Sequence, residues 1–402
     1  MRKILPVLAL FSFLFSSCQK DNPVVLPVED EPVVEAGEFD IESPVVKSYL
    51  DLLESYPYRD NDYEYSVIDS FWQVYTDYRK DRPSPATVNW ENEQGCISQR
   101  VYLSGNPSFE DAYSFSIRSS ESSCGIYNMI PGHKYWWKVE AGFPDGVKKI
   151  LNSGYFTTTG RRRFLNIDNV CNVRDLGGIR TTDGGRIKYG LIFRGGEMDG
   201  GRYDNGGNAC KISSGGINAM KDAGIAAVLD LRTAEEALEK ISSPLGKDVD
   251  YVRFEDANAY YYDKFWKTDT YIRAMQWVID ELKDGRPVYF HCIYGADRTG
   301  TLAFIIEALL GVSESDIAVD YELTSFSYGL TSPPRRRGPK NEVSVYRYRE
   351  MVQGVKSSKD FSGSGLQERV RNFLLNGYPG GNGKSAVISE ADLDWFEDYM
   401  KE

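Results

Sequence analysis

The earliest hydrophobic pattern in the chain has the period of a helix. Val46, Leu50 and Leu53 recur at helical spacing, and Pro44 suits a first turn because its missing N–H would be unpaired there anyway. This spacing predicts an amphipathic helix. We expect it within a helical or irregular segment over residues 41–82 that packs on the domain after it.

After Pro83 the pattern changes to that of strands. Short segments in which apolar and polar residues alternate are separated by Gly, Asn and Ser. The clearest are Ala86–Trp90, Ile97–Leu103, Tyr113–Ile117 and Tyr135–Ala141. Several such segments in succession favour a β-sandwich, which we expect to cover residues 83–160.

A third pattern places a buried strand directly before a strongly apolar helix. Val288-Tyr289-Phe290 predicts the strand, and the apolar run from Leu302 to Leu310 predicts the helix. The loop between them reads His291-Cys292-Ile293-Tyr294-Gly295-Ala296-Asp297-Arg298-Thr299-Gly300. We therefore expect Cys292 at the end of the strand and Arg298 at the start of the helix.

Composition narrows the class of protein. The chain has 402 residues, enough for two or more domains, and 41% hydrophobic with 26% charged residues is typical of a globular protein. This excludes a disordered chain and a polytopic membrane protein. The net charge of −12 argues against a nucleic-acid binder, which needs a basic face. The two histidines, His133 and His291, lie far apart, which excludes a His-rich metal site.

The amino terminus is typical of an export signal. A basic start is followed by an apolar run over residues 4–15 and by Ser16-Ser17-Cys18. The apolar run is shorter than a membrane-spanning helix usually is. We expect a signal peptide at residues 1–17 and an extended tether at residues 18–40. The serines and cysteine resemble the lipobox of bacterial lipoproteins. That resemblance implies secretion across the inner membrane and a lipid anchor at Cys18, in the cell envelope on the periplasmic or surface face of the outer membrane. An ordinary signal with an incidental cysteine is the alternative.

Five cysteines remain after Cys18, in a compartment where disulfides form. Cys96 and Cys124 fall in one β-rich region and are candidates for a pair. Because five is odd, at least one thiol stays free or pairs with another chain.

The loop before the apolar helix suits a dianionic phosphate. Loop amides and a helix N-terminus supply partial positive charge, and the guanidinium of Arg298 binds two oxygens. The same field favours a thiolate, so Cys292 is the expected nucleophile. Gly295 lets the backbone bend close to a ligand. His291 would orient the loop through a ring N–H, and Thr299 can donate a hydrogen bond to the sulfur.

Residues 291–300 resemble the signature loop of cysteine-dependent protein tyrosine phosphatases, and more narrowly the bacterial branch whose loop reads His-Cys-x-x-Gly-x-Asp-Arg-Thr-Gly. The match at these fixed positions has a chance frequency of roughly one in 10⁵ for a chain of this length. Asn172–Gly178, Val228–Thr233 with a following Glu235, and segments within 310–324 match the same branch in order. The resemblance implies an α/β catalytic domain with a central, mainly parallel sheet over residues 161–402.

The first domain also resembles a known module. Residues 127–139, in which an apolar-x-Pro-Gly turn precedes Tyr135, resemble the late strands of a fibronectin type III domain, and Phe156–Thr159 resembles its last strand. The resemblance implies that residues 83–160 bind a partner, space the catalytic domain or support it.

The phosphatase resemblance implies a double displacement. Cys292 attacks phosphorus, Arg298 and the loop amides stabilise the equatorial oxygens, and water hydrolyses the phosphocysteine. The chemistry requires neither a metal nor a cofactor. The acid that protonates the leaving group is Asp297 in the narrower branch, whereas Asp256, at the end of a predicted strand, is the alternative.

The remaining site residues follow from the same resemblance. The loop residues expected to bind substrate are His291, Ile293, Tyr294, Gly295, Ala296 and Thr299. Asn172, Arg174 and Asp175 either contact substrate or brace the loop from behind. The branch commonly carries lysine at the position of Ala296, and its absence favours phosphotyrosine or another monoester, on a protein or a small molecule, as substrate. The alternatives are an inositol-phosphate or phosphoinositide phosphatase and a non-catalytic surface binding protein.

Overall fold

The computed structural model describes residues 34–55, 82–200, 211–257, 262–327, 345–378 and 385–402. The predicted signal peptide, Cys18 and the first part of the predicted tether lie outside these ranges. Within them, no helix combines the length and the apolar character needed to cross a bilayer.

The first domain consists of two sheets that enclose one core. Its strands are β1 (Val34–Asp40), β2 (Ala86–Asn89), β3 (Ser98–Ser104), β4 (Tyr113–Ile117), β5 (Ser123–Ile126), β6 (Lys134–Gly142) and β7 (Lys148–Thr159). The larger sheet has the order β1-β7-β6-β3-β4, and β2 pairs with β5 in the smaller one. Alternate residues of facing strands, such as Val88, Trp137 and Val139, are buried between the sheets.

Strand β1 occupies residues that the composition assigned to the tether. It pairs in parallel with β7, with Glu38 opposite Thr157, and the Phe39 ring packs edge to face on Phe156 at a centroid distance of 5.4 Å. The tether prediction is therefore wrong for residues 34–40. Backbone pairing and one aromatic contact with the core outweigh a composition that resembles a linker.

The helix predicted from Val46, Leu50 and Leu53 is α1 (Pro44–Ser55), and these three residues are buried. Its packing partner differs from the prediction, because the apolar face of α1 contacts the second domain rather than the first. The residues it contacts are Phe164, Val319, Leu323 and Phe326. Periodicity reveals which face of a helix is buried but not which surface covers it.

The second domain has a five-stranded sheet whose order is β11-β10-β12-β9-β8. These strands are β8 (Arg174–Asp175), β9 (Ile192–Gly195), β10 (Ala227–Asp230), β11 (Asp250–Arg253) and β12 (Val288–His291). Neighbouring strands are parallel except for β8 with β9. The sheet agrees with the predicted α/β class, and β12 is its middle strand.

Helices cover both faces of this sheet. They are α2 (Ser214–Asp222), α3 (Thr270–Lys283), α4 (Asp297–Leu309), α5 (Glu314–Leu323), α6 (Val345–Ser357), α7 (Leu366–Asn376) and α8 (Glu390–Met400). Leu229 and Phe290 pack on the face that bears α3 and α4, whereas Val228 and Tyr289 pack on the face that bears α2. Burial on both faces explains why β10 and β12 are almost wholly apolar.

The proposed pair of Cys96 and Cys124 does not form, and both thiols are free. Cys124 lies on β5 in the smaller sheet, whereas Cys96 immediately precedes β3 in the larger sheet. The disulfide prediction is wrong: the Cys96 thiol donates to the carbonyl of Ser98 at 3.2 Å and the Cys124 thiol to the carbonyl of Gly125 at 3.7 Å.

Candidate active site

Cys292 lies at the carboxyl edge of the sheet, directly after the middle strand. Residues 292–296 turn from β12 into α4. The flanking strands end beside them, because Asp230 and Gly195 are both in register with His291. Cys292 is only 4% exposed. The loop therefore lies at a helix N-terminus, where backbone amides and the helix dipole favour an anion.

Gly295 is required by the path of the loop. Its φ of +67° lies in the left-handed region. A Cβ at this position would lie 2.4 Å from the carbonyl carbon and oxygen of Gly195, which is closer than real Cβ atoms come to backbone. The loop therefore passes over the end of β9 at a distance that only glycine allows.

Three successive carbonyl oxygens of the loop, those of residues 293–295, are tied to groups behind it. The first accepts a hydrogen bond from the backbone N–H of Glu197 at 3.0 Å. The second and third accept from Asn172 Nδ2 at 3.2 and 2.9 Å, and the third also from Arg194 Nη2 at 2.9 Å. In a trans peptide the N–H and C=O point in opposite directions. The amides of residues 294–296 therefore face away from the anchored side.

Arg298, in the first turn of α4, is held by a two-bond ion pair with Glu236. Its Nη1 donates to Oε2 at 2.6 Å and its Nη2 to Oε1 at 3.1 Å. Nη1 also donates to the carbonyl of Leu231 at 2.8 Å. These bonds do not involve the other edge of the guanidinium, which is formed by Nε–H and the second Nη2 hydrogen. Nε is buried and has no hydrogen-bond partner among the described residues. That edge presents two parallel donors, which suit a phosphate.

Both members of this pair are charged at neutral pH. Burial disfavours the guanidinium, but the neighbouring Cys292 and Glu236 outweigh burial and raise the pKa of Arg298. Burial also opposes ionisation of Glu236, yet the bonds from Arg298 and Thr233 hold the pKa of that carboxyl below its usual value.

Sequence reasoning missed Glu236 and singled out Glu235 in its place. The signal was present, because Thr233 and Glu236 have the spacing of a helix capping box. Thr233 N donates to Glu236 Oε2 at 2.8 Å, and Glu236 N donates to Thr233 Oγ1 at 3.2 Å. The local turn therefore fixes the carboxylate that holds Arg298.

His291 precedes the loop of residues 292–296 and Thr299 follows it, and both are buried. The imidazole stacks on Tyr289 at 5.6 Å, and its Nδ1–H donates to the carbonyl of Cys292 at 3.1 Å. Burial lowers the pKa of His291 despite the opposing charge of Asp230, so the ring is neutral at neutral pH. Thr299 Oγ1 is buried and has no hydrogen-bond partner within the described part of the chain.

Asp320 on α5 joins the groups that anchor the loop. Arg174 Nε donates to its Oδ1 at 2.8 Å, and Arg194 Nη1 donates to its Oδ2 at 2.5 Å. Arg174 also bonds the side-chain oxygen of Asn172. Burial opposes ionisation of Asp320, but the two arginines hold its pKa far below its usual value. Asn172 and Arg174 thus occupy the position of braces behind the loop.

Asp175 faces the turn that connects the two domains. It accepts hydrogen bonds from Arg163 Nη1 at 2.9 Å and from the backbone N–H groups of Gly177 and Gly190 at 2.8 and 2.7 Å. Burial raises the pKa of this carboxyl despite the nearby arginine.

The two candidate acids lie in different places. Asp297 is half-buried and is the first residue of α4, within the loop. Asp256 is exposed and accepts hydrogen bonds from Arg273 Nη2 at 2.6 Å and from Thr270 Oγ1 at 2.8 Å. It follows β11, an edge strand separated from β12 by β10. Of the other loop residues, Ile293 and Ala296 are buried and Tyr294 is half-buried.

This part of the chain is similar in sequence to known proteins. Residues 165–358 match the family model described as Tyrosine phosphatase family. A protein of Cupriavidus necator that bears the name "Putative tyrosine-protein phosphatase" is 25% identical over 206 residues, which cover 46% of this chain and 71% of the relative. The family match and the relative confirm the prediction of an enzyme: the chain is a phosphatase.

Proposed function

We propose that the enzyme hydrolyses phosphomonoesters through a covalent phosphocysteine on Cys292 and that it prefers phosphotyrosine. The observation that carries the proposal is the combination of two donor sets around one thiol. The amides of residues 294–296 face away from their anchored carbonyls, and Arg298 Nε has no hydrogen-bond partner among the residues that the structure describes. Together they suit the non-bridging oxygens of a phosphoryl group, whose charge is redistributed in the transition state.

The reaction has two displacements. In the first, a bond forms between Cys292 Sγ and phosphorus as the bond from phosphorus to the ester oxygen breaks, and a carboxylic acid gives that oxygen its proton. In the second, a water oxygen attacks phosphorus, the S–P bond breaks, and the same carboxylate takes the proton from water. Phosphate leaves, and the thiolate and the acid are restored. Thr299 Oγ1 is buried and has no partner in the described part of the chain, and in this mechanism it supplies a donor for the departing sulfur.

We assign the acid to Asp297, with Asp256 as the alternative. Asp297 lies in the same loop as the nucleophile. Asp256 follows the edge strand β11, which β10 separates from the strand that bears Cys292, and it accepts bonds from Arg273 and Thr270.

The preference for phosphotyrosine rests on charge and shape. One guanidinium edge can bind one phosphoryl group. An inositol polyphosphate carries several phosphoryl groups and would need additional positive charge. Ala296, which is 1% exposed, adds no charge at the position where the bacterial branch commonly carries lysine. Tyr294 is half-buried in the same loop and offers an aromatic surface to an aryl leaving group.

The test compares phosphate release by the reduced chain from residue 18 onward with release by its Cys292→Ser variant. The substrates are a phosphotyrosine peptide, a phosphoserine peptide, a phosphoinositide and inositol hexakisphosphate. Cys292-dependent release that is fastest from phosphotyrosine supports the proposal. Faster release from the inositol compounds favours the alternative substrate class. Tight binding without release supports a non-catalytic surface protein and contradicts the proposal.

We also propose that the protein is exported, anchored through Cys18 and equipped with a fibronectin type III-like domain. The amino-terminal sequence supports the anchor, and the two-sheet core of the first domain supports the module. The backbone N–H of Ile130 donates to the Tyr135 hydroxyl at 2.9 Å, which ties the Pro-Gly turn to the strand after it. Cell fractionation tests the anchor: the wild type is expected with the membranes and Cys18→Ser in the soluble fraction. An unchanged distribution would contradict it.

A further inference from the structure

Helix α1 precedes the segment that matches the phosphatase family model, yet it packs on the catalytic domain. It covers α5 and the short 3₁₀ helix Thr324–Phe326. The ring of Tyr49 lies 5.3 Å from that of Phe326. Tyr49 is fully buried, and its hydroxyl donates a hydrogen bond to Glu322, which is also buried.

The opposite side of α5 faces the groups that anchor the loop of residues 292–296. Asp320 lies two residues before Glu322, and such residues point about 200° apart on a helix. Asp320 holds Arg174 and Arg194. Thr324, which follows α5, accepts hydrogen bonds from Arg174 Nη2 and Asn172 Nδ2, both at 3.3 Å. Helix α5 is therefore enclosed between α1 and the side chains that anchor the loop carbonyls.

The junction of the two domains is fixed by buried polar bonds. Glu42, which is 3% exposed, accepts hydrogen bonds from Arg161 N at 3.2 Å and from Arg161 Nη2 at 3.0 Å. Arg163 donates both to Asp175 at 2.9 Å and to the Asn128 carbonyl of the first domain at 2.8 Å. Arg161 Nη2 also donates to the carbonyl of Lys47 in α1 at 3.0 Å. Breaking such a network leaves buried groups unsatisfied, so α1 keeps one position on α5.

We propose that α1 helps to hold the catalytic loop in its phosphate-binding conformation and that Tyr49 is a positioning residue for that loop. The bond from Tyr49 to Glu322 fixes α5, and α5 places Asp320. Asp320 in turn holds Arg174 and Arg194, which together with Asn172 set the direction of the loop peptides. The inference rests on the proposed function of the loop as a phosphate site.

The test removes one hydroxyl and measures phosphate binding apart from turnover. In a Cys292→Ser background, calorimetry measures the dissociation constant of inorganic phosphate with and without Tyr49→Phe. In the chain that retains Cys292, kcat and KM for an aryl phosphate are measured. The matched control is Tyr102→Phe, which removes a hydroxyl bonded to Glu140 at 3.4 Å within the first domain.

Tyr49→Phe is expected to weaken phosphate binding and to lower kcat, each by about three- to tenfold, while Tyr102→Phe changes neither. Melting temperatures show whether either variant is merely destabilised. A second variant, Tyr49→Leu, also removes the ring contact with Phe326 and is expected to have a larger effect. Unchanged phosphate binding and kcat in folded Tyr49→Phe would overturn the inference. If no substrate is hydrolysed even by the wild type, the proposed function fails, but phosphate binding still decides the role of Tyr49.

Discussion

Glu236 accepts two hydrogen bonds from Arg298, at 2.6 and 3.1 Å, and these bonds occupy the guanidinium edge that does not include Nε. The other edge is thereby fixed before any substrate binds. A group oriented in advance loses little conformational freedom on binding. In the proposed mechanism this ion pair therefore sets the geometry of the phosphate site.

Replacing Glu236 tests that orientation. Glu236→Gln keeps one acceptor but removes the charge, so Arg298 is held less firmly and kcat is expected to fall roughly ten- to hundredfold. KM for an aryl phosphate is not expected to rise, because one negative charge near the dianion has been removed. Steady-state kinetics measures both constants, with the exposed neighbour variant Glu235→Gln as control. Equal kcat values for the two variants would contradict the role of Glu236.

The anchoring of the loop carbonyls gives a second prediction. Asn172→Asp replaces the amide donor with a carboxylate that repels the carbonyls of Tyr294 and Gly295, and kcat/KM is expected to fall by about a hundredfold. Asn169→Asp is the matched control, because Asn169 has the same φ of 61° but bonds the carbonyl of Lys211 instead. The anchoring role is wrong if both variants retain wild-type kcat/KM.

A third prediction separates crowding from backbone strain at Gly295. Gly295→Ala places a Cβ 2.4 Å from the Gly195 carbonyl, so the loop must shift, and activity is expected to fall by at least about a hundredfold. Gly285→Ala has a similar φ of +75° but meets nothing within 4 Å. The control is expected to lose stability by about 1 kcal/mol and to keep its activity. Equal activities would show that close approach is not required.

The assignment of the acid is tested by leaving-group dependence. Asp297→Asn is expected to lower kcat for phosphotyrosine by about a hundredfold or more, and to flatten the fall of kcat at alkaline pH. Its effect should shrink for aryl phosphates whose leaving phenol is more acidic, since such phenols need less protonation. If Asp256→Asn shows this pattern instead and Asp297→Asn does not, the acid is Asp256.

Glu307 on α4 gives a prediction about pH and stability. It is fully buried, and neither carboxyl oxygen has a hydrogen-bond partner among the described residues. Burial, reinforced by the charge of Asp320, raises the pKa of Glu307 well above its usual value. The folded state thus keeps a proton that the unfolded chain has released, and this contribution to stability is lost as pH rises from the unfolded pKa toward the folded one.

Glu307→Gln removes that dependence. Its free energy of unfolding relative to the wild type should rise between about pH 5 and pH 8, by up to about 1.4 kcal/mol for each pH unit between the two pKa values. Urea unfolding at several pH values measures the difference, and the exposed variant Glu314→Gln is the control. A difference that stays constant with pH would contradict a proton held by Glu307.

The sequence predicts the strand and the helix on either side of the Cys292 loop because their signals are local. Val288–Phe290 and the apolar run from residue 302 to 310 define the strand and helix by their own composition, so the positions of Cys292 and Arg298 follow. Glu236 could also have been predicted from the sequence, because it has the spacing of a capping box with Thr233.

Long-range packing could not be predicted in the same way. The periodicity of α1 shows its buried face, but its partner α5 lies more than 250 residues later. Strand β1 is stabilised by pairing with β7 rather than by its own composition. Asp320 carries no sign in the sequence that two arginines from β8 and β9 converge on it.

The most direct test of the mechanism is to trap its intermediate. The reduced enzyme is mixed with a phosphotyrosine peptide, quenched within the first turnover, digested and analysed by mass spectrometry. We predict a phosphate adduct on the fragment that contains Cys292, formed and lost at rates consistent with kcat, and no adduct in Cys292→Ser. Phosphate release that persists in Cys292→Ser, or an adduct on another residue, would contradict a phosphocysteine mechanism.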